Sequence, residues 1–298
     1  HNARVTAEPP TDRIVWTTAI SRAAFLACSW TWCIGMWLPV ILLREFGWMG
    51  FVAFTIPNII GAAGMGLALR RPGAAERIAH RHARAIRAFV LATIAFHAFF
   101  LAWRVGAEFS WVHTAMLAAP PAILLLAALG LRRLSPGAWS ILAIITWLLS
   151  IALVVAAAQT SDAVGLVQRA GDSAPIGLLW LTPVMAFGFG ACPFLDPTFL
   201  RIRRETPGRT GDAAFILGFG VLFLAMLALT ALYAYGYISA GNVSFYILGH
   251  FLLQSIFTCA ALSREIDARS LTFPILVGLA VSIIPYSTLT GALGLLAL

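Results

Sequence analysis

Apolar residues run through this chain in nine long blocks, each broken off by a cluster of Arg, Gly or Pro: roughly 14–43, 47–69, 85–104, 110–131, 137–158, 176–200, 213–238, 243–262 and 271–296. A helix needs about 20 apolar residues to cross a bilayer, and its backbone polar groups must find their partners inside the segment. The pattern predicts an all-α polytopic membrane protein with about nine transmembrane helices. Charged residues make up 11% of the 298 positions, about half the share usual in a soluble domain, which excludes a water-soluble enzyme. The spans consume nearly all of the sequence. Residues 1–298 therefore read as a single transmembrane domain whose work is done in or at the bilayer.

The net charge of +8 would suit nucleic acid in a soluble protein, but in a membrane chain basic residues mark the cytoplasmic loops. The second loop carries Arg70, Arg71, Arg77, Arg81, Arg84 and Arg87, and the fourth Arg132 and Arg133. The sixth holds Arg201, Arg203, Arg204 and Arg209, and the eighth Arg264 and Arg269. The remaining loops hold only Arg44, Arg104 and Arg169. The bias predicts a cytoplasmic N-terminus, in a bacterial inner membrane, with no nucleic-acid partner. No cleavable leader is expected, because the first apolar run is too long and too Trp-rich for one. The second loop, with His80 and His82, either holds anionic lipid head groups or only fixes topology.

Two spans carry unusual interruptions. Span 1 contains Cys28-Ser29-Trp30-Thr31-Trp32-Cys33-Ile34-Gly35-Met36-Trp37-Leu38-Pro39, and span 6 contains Gly188-Phe189-Gly190-Ala191-Cys192-Pro193-Phe194-Leu195-Asp196-Pro197-Thr198. Gly weakens a helix and Pro frees a carbonyl one turn back. In hydrocarbon such groups survive where protein or a water-filled cavity satisfies them. Two interrupted helices at corresponding places in two halves are a pointer to a transporter binding site. By the charge rule spans 1 and 6 run in opposite directions, so the halves, about 14–158 and 176–296, would form an inverted repeat.

The run Trp32-Cys33-Ile34-Gly35-Met36-Trp37-Leu38-Pro39, followed by Phe54-Thr55-Ile56-Pro57-Asn58-Ile59-Ile60-Gly61-Ala62-Ala63, resembles the early core helices of sodium:solute symporters of the amino acid, polyamine and organocation transporter superfamily. The resemblance implies a LeuT-type five-plus-five inverted repeat with helices 1 and 6 broken, and cation-coupled uptake of a small organic solute. That fold has ten core helices, and nine are found here. The resemblance also implies a sodium site between the first break and span 8, where Thr31, Ser255 and Thr258 match.

Trp30, Trp32, Gly35, Trp37, Gly190 and Asp196 are the candidate substrate-binding residues. A carboxylate within a membrane span is costly and often functional; Asp196 would hold a cation, a proton or a substrate amine, or else cap a helix and pair with Arg201 or Arg203. Arg22 is expected to snorkel or meet Asp12, and Asn58 to satisfy a backbone group freed by Pro57. His97 and His250 fall at matched depth, as a b-type haem requires, but a membrane His more commonly hydrogen-bonds across helices. Trp16, Trp48 and Trp111, with Tyr233, Tyr235 and Tyr237, read as interfacial belt residues. Cys28, Cys33, Cys192 and Cys259 lie in apolar stretches without zinc-ligand spacing.

No catalytic signature is present: no phosphate-cradling Gly loop with Lys, no His-Glu-x-x-His and no supported Ser-His-Asp set. An enzyme is not expected. The expected partners are membrane lipids, a small solute and other membrane subunits. The competing reading is a non-transporting scaffold or sensor subunit of a larger, energy-transducing complex.

Overall fold

The computed structural model describes residues 13–109, 117–158, 171–240 and 243–283. All regular structure among them is helical. The order is α1 (Trp16–Trp30), α2 (Cys33–Ala68), α3 (Ala74–Arg81), α4 (Ala83–Glu108), α5 (Ala119–Leu131), α6 (Pro136–Ala158), α7 (Gly177–Ala191), α8 (Pro197–Glu205), α9 (Gly208–Leu217), α10 (Leu224–Ala240), α11 (Phe245–Ser263) and α12 (Thr272–Ile283). A 3-10 turn, Cys192–Leu195, joins α7 to the Asp196 cap of α8, and a π-helical stretch, Gly218–Phe223, joins α9 to α10.

Six helical stretches are long and apolar enough to cross a membrane: Cys33–Ala68, Ala83–Glu108, Pro136–Ala158, Pro175–Leu195, Gly208–Ile238 and Phe245–Ser263. Two shorter apolar helices, Ala119–Leu131 and Ala268–Ser282, correspond to the fourth and ninth runs. The outward surface agrees with a lipid environment, since Trp180 and Phe187 are each 80% exposed. In water such a surface would be an aggregation hazard; in a bilayer it is the solvent-facing side. The chain is an integral membrane protein.

The first run does not form one helix. It is cut at Thr31 and Trp32, whose ψ angles are 68° and 166°, and its second part continues into span 2 as α2. Inside α2 the chain reverses at Gly47, with φ 59° and ψ −151°. That conformation is open to glycine alone without strain.

Loop contacts establish the threading. At one end Arg22 pairs with Glu205 at 3.0 Å, Arg201 with Glu265 at 3.2 Å, and Asp212 with both Arg70 and Arg203. Arg132 donates to the Ile266 carbonyl and Arg87 to Ser270. These bonds gather the start of α1 and the second, fourth, sixth and eighth loops. At the opposite end the Asp172 and Ser173 amides donate to the Arg44 and Glu45 carbonyls, and the Val243 amide donates to Glu108. Successive spans thus alternate in direction, and α1 runs opposite to α7. Asp12, Trp111, Arg169 and the end of the ninth run lie outside the described residues.

Helix α1 packs on α9 and the π-helical stretch, where Gly218 lets the backbones approach: a Cβ there would lie 3.1 Å from the Ala23 carbonyl. The two arms of α2 pack on α10 and α7, and α4 packs on α12. Helix α11, the most enclosed, is held by α4, α5 and α6.

Several expectations need correction. Arg104 is not a loop residue; it lies within α4 and is 2% exposed. Arg22 meets Glu205 at 3.0 Å, a partner not anticipated. Asn58 serves a side chain rather than a freed backbone group, accepting the Trp30 indole N–H. Tyr233 is no belt residue: it is 5% exposed and donates to the Met36 carbonyl. The cysteines are free thiols, three of them buried.

Candidate functional site

The two interruptions meet. The Trp30 ring at the end of α1 lies 5.2 Å from the Phe199 ring in the first turn of α8, and Trp30 and Trp32 are 4.5 Å apart. Trp32 leans on Phe89 of α4 at 5.1 Å, and Phe199 on Phe219 at 5.1 Å. Neighbouring rings at these spacings pack edge-on or tilted, so an aromatic cluster occupies the crossing of the breaks.

Much of the backbone at the first break is satisfied from within. The Cys28 carbonyl accepts from the Thr31 amide and from Thr258 Oγ1, both at 3.3 Å. The Ser29 carbonyl accepts the Trp32 indole N–H at 2.7 Å, and the Trp30 carbonyl accepts the Trp32 amide at 2.8 Å. Pro39 leaves the Gly35 carbonyl without its helical donor. The first amide of α2, Cys33 N–H, donates to His97 Nε2 at 3.4 Å, while His97 Nδ1 donates to the Thr93 carbonyl at 2.8 Å. The interhelical bond fixes the imidazole tautomer, with both ring nitrogens engaged. His250 lies beside Tyr233 and Phe251, its Nδ1 without a hydrogen-bond partner. Among the described residues no group of three His, Cys, Asp or Glu side chains could hold a metal.

For a sodium ion the donor set is oxygen. Thr31 Oγ1 donates to the Ala27 carbonyl of its own helix at 2.8 Å, and its lone pairs remain. Thr258 reaches across to the break, and Ser255, one turn earlier on the same face, keeps a buried hydroxyl with no partner. Buried hydroxyls are usually hydrogen-bonded, so Ser255 stands out. The Cys28 carbonyl, Thr258 and Ser255 are oxygen donors of the kind a hard cation takes.

Asp196 caps α8. Oδ1 accepts from the Thr198 amide at 2.8 Å, the Thr198 hydroxyl at 2.7 Å and the Phe199 amide at 3.4 Å, while Oδ2 is buried and unpartnered. It does not pair with Arg201 or Arg203, which are held by Glu265 and Asp212. Asp196 sits just beyond the apolar stretch Pro175–Leu195. Burial pushes its carboxyl up from 3.8 to about 6, against the opposing pull of its bonds to Thr198 and Phe199; the charge of Glu265 adds to the rise. A folded-state value above the unfolded one means that the native chain binds the extra proton, so stability falls as pH climbs from about 4 to 6 and then levels off. Two units correspond to about 3 kcal/mol. Asp196→Asn, which keeps an acceptor for the cap, is expected to flatten that part of the stability profile, read as melting temperature in detergent between pH 4.5 and 7.5. An unchanged slope would place the titration elsewhere.

A cleft of about 350 Å³ opens at the Arg-rich end and reaches α8 immediately past the second break. Its walls include Arg87, Pro197, Leu200, Arg204, Glu265 and Asp267. Burial raises the Glu265 carboxyl, opposed by Arg201.

The six candidate substrate residues are not one constellation. Trp30, Trp32 and the Asp196 cap share the crossing of the breaks. Gly190 lies where α7 crosses α2, its Cα 3.0 Å from where a Cβ on Gly61 would sit. Trp37 belongs to a separate group at the opposite end, against Tyr237 at 4.7 Å and Trp103 at 5.8 Å, with the Arg104 guanidinium 4.2 Å above its ring. Gly35 lies between, with Phe223 3.8 Å from where its Cβ would be. The Arg104 group was missed because a lone Arg near the end of an apolar run reads as a loop marker; Trp37, Trp103, Tyr237 and Glu108 come together only in the fold.

Comparison with protein-family models, curated proteins and solved structures gave no match.

Proposed function

We propose that the chain is a secondary-transporter-like membrane protein that takes up a small organic solute, coupled to a cation, as its resemblance to sodium:solute symporters implies. The observation that carries this reading is the contact of two oppositely directed, interrupted helices at Trp30 and Phe199, with a cleft at the Arg-rich end that reaches α8 just past the second interruption. Broken helices tolerate irregular backbone at membrane depth where it serves a site. The unpaired Ser255 hydroxyl, one turn from the Thr258 that reaches the Cys28 carbonyl, supports a coupling-ion position there. The solute would enter by displacing rings of the aromatic cluster.

The density of that same cluster favours one alternative, a non-transporting scaffold or sensor subunit in which Trp30, Trp32 and Phe199 are simply core. Uptake of labelled amines, amino acids and nucleobases into proteoliposomes, with and without a sodium gradient, separates the two. Transport predicts gradient-dependent accumulation of one pool, reduced at least tenfold by Ser255→Ala with the melting temperature unchanged. No uptake of any pool, with stable co-purification in a larger assembly, decides for the scaffold.

A further inference from the structure

Where span 2 ends, the chain encloses a hollow of about 190 Å³ lined by Leu69, Arg70, Arg71, Gly73, Glu76, Arg203 and Arg204, among others. Four Arg residues line it, Arg70 and Arg71 from the loop after α2 and Arg203 and Arg204 from the last turn of α8. The acids nearby are Glu76, on the rim, and Asp212, which is already held between Arg70 and Arg203. Positive charge is in excess.

Two further features give the hollow the character of an anion site. The first is Arg203. Its side chain is 2% exposed, its Nε donates to the Leu69 carbonyl, its Nη1 faces Asp212 at 3.1 Å, and its Nη2 has no hydrogen-bond partner. Leaving a buried guanidinium N–H unpaired is costly. Gly211 makes room for the neighbouring Nη1 and for the Thr206 carbonyl, both of which a Cβ there would strike. The second is the start of α3. Gly73, at φ 75°, turns the chain into that helix with no side-chain cap, and Ala75 and Glu76 of the first turn line the hollow. First-turn amides have no helical acceptor, and together with the helix dipole they favour an anion.

We propose that this hollow binds a phosphate group. Planar, forked guanidinium groups match phosphate oxygens in pairs, and Arg203 and the first turn of α3 both line the hollow, so donors come from two elements. The hollow begins one residue past the apolar stretch that ends at Ala68, the level at which phospholipid head groups lie. An anionic phospholipid is thus the nearest source of the phosphate, and a soluble phosphate the other.

The test uses the full chain purified in phosphatidylcholine nanodiscs. Melting temperature and lipid retention by native mass spectrometry are followed on adding phosphatidylglycerol, further phosphatidylcholine or inorganic phosphate. Phosphatidylglycerol is expected to bind at least tenfold more tightly than phosphatidylcholine. The double variant Arg71→Gln/Arg204→Gln, which touches none of the ion pairs that tie the loops, is expected to lose that preference while melting normally in phosphatidylcholine alone. Arg133→Gln, an exposed Arg on another loop, should keep it. Stabilisation by inorganic phosphate that the double variant also abolishes would support the same pocket with a soluble ligand as its source. The proposal is overturned if neither phosphatidylglycerol nor phosphate binds preferentially, or if Arg133→Gln loses as much as the double variant, which would make the effect one of diffuse charge.

Discussion

Arg104→Ala is expected to cost about 3–5 kcal/mol of stability, the range for removing one partner of a buried ion pair. Arg104 and Glu108 lie one turn apart on α4, with side chains 2% and 5% exposed. The guanidinium rests over Trp37 at 4.2 Å, Trp103 at 4.9 Å and Tyr237 at 5.4 Å, which ties α4 to α2 and α10. Glu108 spends its other oxygen on the Val243 amide at 2.9 Å, so the group also anchors the segment leading into α11. Truncation strands a carboxylate away from water and removes a cation from three ring faces, each worth about 0.5–2 kcal/mol. Arg104→Lys keeps the charge but loses the flat surface that stacks, and should fall between wild type and alanine. Arg104→Met/Glu108→Gln, which removes both charges and keeps the bulk, should recover most of the loss. Thermal unfolding in detergent, followed by Trp fluorescence, reads all three. Equal melting temperatures for wild type and Arg104→Ala would mean that the ion pair contributes nothing.

The second large effect is expected at Gly61. A Cβ there would collide with the Phe189 carbonyl where α2 crosses α7, and the obstacle is backbone, which has no rotamer to escape into. Gly61→Ala should cost at least 1–3 kcal/mol, the usual range for overpacking. Gly64, one turn on, has nothing within 4 Å of its Cβ position; Gly64→Ala should be neutral or gain up to about 1 kcal/mol from helix propensity. Of two substitutions of identical chemistry, three residues apart, only Gly61→Ala should thus lower the melting point. If they shift it alike, the close crossing is absent.

Six of the nine expected spans were legible because their cause is local: roughly 20 consecutive apolar residues leave the chain few other options in lipid. The alternation of loops was legible because Arg marks the sequence directly, and the ion pairs of Arg22, Arg70, Arg201 and Arg203 gather those loops at one end. The first interruption was anticipated from Gly35 and Pro39 but falls a turn earlier, at Thr31 and Trp32. Gly and Pro weaken a helix at their own position, whereas here the Trp32 indole on the Ser29 carbonyl and His97 on the Cys33 amide offer the backbone other partners. No spacing in sequence announces a bond across 64 residues. The division of the Trp residues was hidden for the same reason: Trp30 and Trp37 are seven apart in sequence, yet one faces Phe199 and the other Arg104.

The reversal at Gly47 joins the upper arm of the first span to the second with no intervening slack. Below that reversal α1 is moored along its length: Asn58 of α2 takes the Trp30 indole, Thr258 of α11 reaches the Cys28 carbonyl, and Glu205 takes Arg22. Moving the first break would therefore have to loosen α2, α11 and the end of α8 at once.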